Sequence, residues 1–202
     1  MKHAATRALF DYWNRQRGLR PAPARSDIDP GDIRHILGDT FMLAEDFAAG
    51  IRFRLAGTRI CALFAREIKG EAFASLWSQA SHEQFDTLLA AVLGERIGVV
   101  AGVSGRTQDG TEAELEMLLL PLAVDGGTRV RALGALAPLS PLYWLGERPV
   151  IELELGTFRH VGGEQSEGGK LSPGKPDEEP RTRRGLLVYS GGRELPDGKP
   201  TG

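Results

Sequence analysis

The 202-residue chain reads as an α+β fold: a five-stranded antiparallel sheet with helices on one face, a flanking helix before it and a disordered tail after it. Three observations predict this. Ile51, Phe53 and Leu55 alternate with Arg52 and Arg54, the period of two that marks a half-buried strand. Gly57-Thr58 then breaks the strand, and Ile60, Leu63 and Phe64 continue at helical spacing. Finally, Gln108-Asp109-Gly110 and Asp125-Gly126-Gly127 punctuate three apolar-rich segments, as the turns of a meander do. Two strands, then helices, then three strands bury their apolar faces most simply as one antiparallel sheet with helices against it.

Each element has its own signal. Leu9, Phe10 and Trp13 form an apolar stripe that predicts a helix over Ala4–Arg17, with Thr6 as the candidate cap. Gly18 ends that helix, and Pro21 and Pro23 prevent its resumption. Asp29-Pro30-Gly31-Asp32 predicts a second, short helix that carries Ile33, Ile36 and Leu37 inward until Gly38. Strands follow over Thr40–Glu45 and Ile51–Leu55, then a short helix over Arg59–Ala65. Phe73, Leu76 and Trp77 anchor the irregular stretch after it. Ser81-His82-Glu83-Gln84 has the form of a capping box, opening a helix with Phe85, Leu88, Leu89 and Val92 on one face. Strands over Val99–Thr107, Glu112–Val124 and Arg129–Leu139 complete the sheet. The resulting division is 1–37 as a helical flank, 38–145 as the domain, 146–161 as an extension and 162–202 as the tail. The tail holds ten glycines and five prolines in 41 residues, too few apolar side chains to offset its chain entropy. Within it, Gly185–Ser190 is an apolar island: either an inconsequential sticky patch or a short strand that docks on a sheet edge.

Composition narrows the function classes. Hydrophobic residues make up 41% and charged residues 26%, with a net charge of −2, so no global attraction to nucleic acid or anionic lipid is expected. Arg15, Arg17, Arg20 and Arg25 cluster mildly, but without interleaved aromatics they read as a solvated helix end. No apolar run is long enough for a membrane helix, and no leader-like segment opens the chain. One cysteine, Cys61, fits a reducing cytoplasm and reads as a small packed apolar group. Enzyme signatures are missing: there is no phosphate-binding loop, nucleophile elbow or zinc-type His-Glu-x-x-His. Gly102-Val103-Ser104-Gly105 lies inside a strand instead of opening a helix. Glu112, Glu114 and Glu116 alternate on one strand face and read as solvated. No metal site is expected. His82, at the start of the long helix, is the one histidine placed to be weighed as a haem ligand, and its position beside the cap argues against that role.

The strand-to-helix passage resembles the one that opens the binding pocket of a PAS domain. Leu9–Trp13, Arg25–Pro30, Phe53–Thr58 and Leu133–Leu139 together resemble a bacterial family of stand-alone PAS-domain proteins over about residues 9–145. Ala65 departs from the glycine that many such domains carry at the end of the short helix. The resemblance implies a cytoplasmic sensory or regulatory protein, tied in studied members to motility and stress signalling, with no output domain and a separate signalling partner. The flavin motif Asn-Cys-Arg of photoreceptor relatives is absent. A small apolar ligand would sit among Phe53, Ile60, Phe64, Trp77, Phe85, Leu89, Leu115 and Met117. The alternatives are an interaction scaffold whose pocket is simply core, or a small enzyme using Glu114 and Glu116. Along Glu112–Val124 the outer face turns from glutamates to Leu118, Leu120 and Leu122, which need a cover. The stripe Leu9, Phe10 and Trp13 would provide it and contribute to a homodimer.

Overall fold

In the computed structural model, residues 1–46, 48, 50–123, 130–162, 182–183 and 186–187 are described. The elements run α1 (Ala4–Arg17), β1 (Thr40–Asp46), β2 (Gly50–Ala56), α2 (Thr58–Leu63), α3 (His82–Leu89), β3 (Gly98–Thr107), β4 (Glu112–Pro121), β5 (Val130–Pro138) and β6 (Val150–Val161). All neighbours in the sheet are antiparallel, in the order β2-β1-β5-β4-β3-β6. The five expected strands are therefore joined by a sixth, β6, which pairs with β3 along its whole length. Residues 1–164 form one compact unit. Of 165–202, only Thr182–Arg183 and Leu186–Leu187 are described, as one antiparallel pair. The expectation of a disordered tail and the rest of its island lie outside the described residues.

The sheet separates two cores. On its inner face, α2, α3 and the irregular segments between them close over Phe41, Leu43, Phe53, Val99, Leu115 and Met117. The outer face carries Met42, Val100, Leu118, Leu120 and Leu133 beneath α1 and residues 22–37. Leu9 and Trp13 are fully buried there against Leu118 and Leu120, while Phe10 is half-buried at the margin. Fully burying such side chains contributes about 1.5–3 kcal/mol each. The Trp13 indole N–H also donates to the Pro121 carbonyl at 2.8 Å, so the helix is fixed in register as well as held by apolar contact. Residues 28 and 29 are drawn in by the Tyr12 hydroxyl, which accepts from the Asp29 amide at 2.7 Å.

Several local expectations are corrected. His3, not Thr6, caps α1: its Nδ1 accepts from the Ala5 amide, while the Thr6 hydroxyl donates to the Glu116 carboxylate of β4. Residues 30–39 do not form an α-helix. Their amides donate three residues back (Ile33 to Pro30, Ile36 to Ile33, Asp39 to Ile36), giving successive tight turns that still bury Ile33 and Ile36. Ser81 does not cap α3. Its hydroxyl bonds that of Ser78 and accepts from the Leu155 amide, a partner provided by β6. Leu55 does not share a face with Phe53. Leu43 stands opposite Phe53 but Met42 stands opposite Leu55, so Arg54 is an extra residue and the alternation reverses after it.

Close approach explains one glycine. The Phe41 ring lies over Gly134 of the neighbouring strand, where a Cβ would come within 2.2 Å of the ring.

Candidate functional site

The inner core is the candidate site, and its centre is aromatic. Phe53 stands 5.6 Å from Phe41 and 5.3 Å from Phe73, both edge-on. Phe73 meets Trp77 edge-on at 5.9 Å, and Phe85 of α3 lies 5.1 Å from Phe73 and 5.4 Å from Trp77. Such pairs add about 0.5–1.5 kcal/mol each beyond the area they bury. The cluster joins β1, β2, α3 and the turn Phe73–Leu76. Trp77 leaves that turn to lie beside Leu153 of β6, and the Ser78 amide donates to the Leu153 carbonyl at 2.8 Å.

All eight residues singled out from sequence belong to or border this one core. Phe53, Ile60, Phe64, Trp77, Phe85, Leu115 and Met117 are buried in it, and Leu89 packs against it half-buried. Phe41 belongs to the same cluster. Its β1 position, inside a continuous apolar run, carried no periodic signal. Surface cavities among the described residues include one of about 400 Å³ beside Glu116, which Leu115 also lines, and one of about 260 Å³ beside Met42 and Leu55.

One polar atom in the inner core is unexplained by packing. The Trp77 indole N–H is buried and has no hydrogen-bond partner among the described residues. A buried donor without an acceptor costs about 1–3 kcal/mol, and native folds retain few of them.

The other sequence candidates occupy varied settings. Cys61, on α2, is half-buried with Sγ 3.7 Å from a Glu67 carboxylate oxygen. Burial pushes its thiol up, and the Glu67 charge adds to this, so the thiolate needed for redox chemistry is disfavoured. His82 begins α3 and is half-buried. Among the described residues, no group of three or more histidine, cysteine or acidic side chains is placed to hold a metal.

Glu116 corrects the reading of a solvated glutamate face. Glu112 and Glu114 are exposed, but Glu116 is only 5% exposed. Its carboxylate accepts from the Lys2 amide at 2.9 and 2.7 Å, from the His3 amide at 2.9 Å, and from the Thr6 hydroxyl. Burial would push its carboxyl up. The Thr6 hydroxyl, the two amides and the N-terminal ammonium outweigh that and hold it below the ordinary glutamate range. Glu116 thus anchors the start of α1 to the sheet, and its lone pairs are engaged by the chain itself. An ion pair also carries no sequence signal: Arg59 of α2 grips the buried carboxylate of Asp39 with both Nε and Nη2.

A family model described as PAS domain matches residues 1–137, about two thirds of the chain, from α1 to the last residue but one of β5. The chain belongs to the PAS-domain family. It is accordingly a sensory or regulatory domain, and β6 lies beyond the matched segment. No curated protein matches the sequence. Solved structures similar to this PAS domain include a light-oxygen-voltage domain studied with a flavin analogue, 12% identical over 55% of this chain and 83% of that one, with a TM-score of 0.44. Another is the dark state of the blue-light photoreceptor Aureochrome1 light-oxygen-voltage domain, 12% identical over 54% and 80%, with a TM-score of 0.41. A third is the PAS domain of a protein from Colwellia psychrerythraea, 17% identical over 55% and 97%, with a TM-score of 0.38. Among the described residues, no helix is long and apolar enough to cross a membrane.

Proposed function

We propose that this PAS domain is a non-enzymatic, cytoplasmic regulator that holds a small, mainly apolar molecule carrying one hydrogen-bond acceptor between α3 and the inner sheet face, and passes the change to a separate signalling protein. The observation that carries the reading is the orphaned Trp77 indole N–H within the aromatic cluster. An acceptor on the ligand would satisfy it, and Phe53, Phe73 and Phe85 would cover the rest. Loop and α3 positions would answer to occupancy, because Trp77 connects the turn Phe73–Leu76 to β6. The enzyme reading loses support, since Glu116 is occupied by the amides of Lys2 and His3, just before α1. A homodimer through Leu118 and Leu120 loses support as well, since the chain's own helix covers them.

Native mass spectrometry of the protein purified from its own host tests the reading, with Trp77→Phe as the paired variant. A bound small molecule that is lost in Trp77→Phe, while the fold is kept, supports it. An empty wild-type protein together with an unchanged or more stable Trp77→Phe supports the alternative, an interaction scaffold with a filled core.

A further inference from the structure

The extra residue in β2 has an effect on the outer face of the sheet. Because Arg54 reverses the alternation, Leu55 turns out beside Met42 instead of into the aromatic core. Met42 is buried under Ile28 and Ile33, but the flank of residues 22–37 stops short of Leu55, which stays 42% exposed. Between them lies a groove of about 260 Å³. Its walls are Ile28, Ile33, Leu37, Met42 and Leu55, closed at one end by the backbone around Gly57, which packs tightly on the carbonyls of Leu37 and Gly38.

Among the described residues, one charged side chain lines this groove: Arg25. Its Nη1 donates to the Ile28 carbonyl at 3.0 Å, which tethers the guanidinium to the groove wall, and no carboxylate lies within ion-pair distance of it among the described residues. Its neighbours differ. Arg20 is paired with Asp27, and Arg59 with Asp39. An apolar slot with one fixed, uncompensated cation at its rim is complementary to an aliphatic chain that ends in one negative charge. The slot lies at or below the small end of ordinary ligand pockets, which run from about 300 Å³ upward, so a nucleotide or a folded protein element does not fit the description. A phosphate group, with two charges to satisfy, would call for more than the one cation present.

We propose that the groove beneath residues 28–38 binds a medium-chain aliphatic carboxylate, with its chain on Met42 and Leu55 and its carboxylate on the Arg25 guanidinium. This site lies across the sheet from the Trp77 cluster and does not depend on that cluster being a ligand pocket.

Octanoate is the probe, titrated into the isotope-labelled full chain and followed by amide and indole NMR shifts. Saturable shifts confined to residues 25–42 and 54–58 are expected. Octanamide, which has the same chain without the charge, should bind at least about tenfold more weakly, as should octanoate to Arg25→Gln. Loss of one charge-assisted hydrogen bond of about 1.5–3 kcal/mol corresponds to a change of that size or greater. Leu55→Asp should abolish the shifts. The proposal is overturned if octanoate does not saturate the groove residues, if octanamide binds equally well, or if the shifts centre on the Trp77 indole. The octanamide comparison needs no variant, so a poorly folded Arg25→Gln would not rescue the idea.

Discussion

Replacing Glu116 by glutamine isolates what its charge contributes. Glutamine keeps an oxygen where Oε1 receives the Lys2 and His3 amides and the Thr6 hydroxyl, but removes the charge and sets an NH₂ where Oε2 now accepts from Lys2. Hydrogen bonds to a charged group contribute about 1.5–3 kcal/mol each and neutral ones about 0.5–1.5, so each of three donors loses about 1–1.5 kcal/mol. The three share one acceptor and are not additive, so a loss of about 2 kcal/mol is expected. In a domain of this size that lowers Tm by about 4–8 °C. The pH dependence follows from the direction of the shift. Folding holds the carboxyl below its ordinary value of 4.5, so the unfolded chain binds the proton more readily. The stabilisation is fully present above pH 4.5 and is lost as pH falls through the folded value. Urea unfolding of wild type and Glu116→Gln at pH 7 should therefore show the full gap, and at the acid end the two curves should converge. A gap below about 0.5 kcal/mol at pH 7, the range of ordinary surface changes, would refute the anchoring role. So would a gap that does not change with pH.

Three further outcomes test other parts of the fold. Phe64, 2% exposed at the end of α2, should cost about 3–5 kcal/mol when truncated to alanine, measured by urea midpoint. Arg59→Met should cost about 2 kcal/mol, less than breaking a fully buried pair, because it strands the 3%-exposed Asp39 carboxylate while Arg59 itself is half in water. If Arg59→Met and the double change Arg59→Met with Asp39→Leu are equally unstable, that account is wrong. Ala65 sits at φ 49°, a left-handed conformation costly for any residue with a Cβ, so Ala65→Gly should raise stability by about 0.5–1 kcal/mol. A loss in a thermal melt would contradict it.

What could be read from sequence was what depends on near neighbours. The stripe of Leu9 and Trp13, the alternation of β2 up to Phe53, and the turn at Asp109-Gly110 each express themselves within a few residues, and each stands where its pattern placed it. Features set by distant partners were hidden. Glu116 has the spacing of a solvated strand residue, and only the first residues of the chain, more than 110 positions away, make it buried. Ser81 has the spacing of a cap but answers to Leu155. The reversal at Leu55 is a property of pairing with β1, since an inserted residue is invisible until the partner strand is known. The segment of β6, read only as an extension, does alternate Ile151, Leu153 and Leu155 with Glu152 and Glu154, but the register with β3 shifts there, so Val150 is buried and Ile151 exposed. In the candidate site, hydrophobicity identified the ring-bearing residues. It could not show that the Trp77 N–H lacks an acceptor, because that is a statement about every atom around it.

The contact between Phe41 and Gly134 ties two positions into a single inherited choice. An ordinary methyl at 134 would collide with the ring. Neither site can drift alone: a larger residue at 134 becomes tolerable only after 41 has shrunk, and a smaller residue at 41 leaves bare backbone on β5 exposed within the core. Across descendants of this sequence the two should change together or not at all. A library randomised at both positions and sorted for folded protein should recover Phe with Gly, and small residues at 41 with Ala or Ser at 134, while leaving Phe with Ala unpopulated.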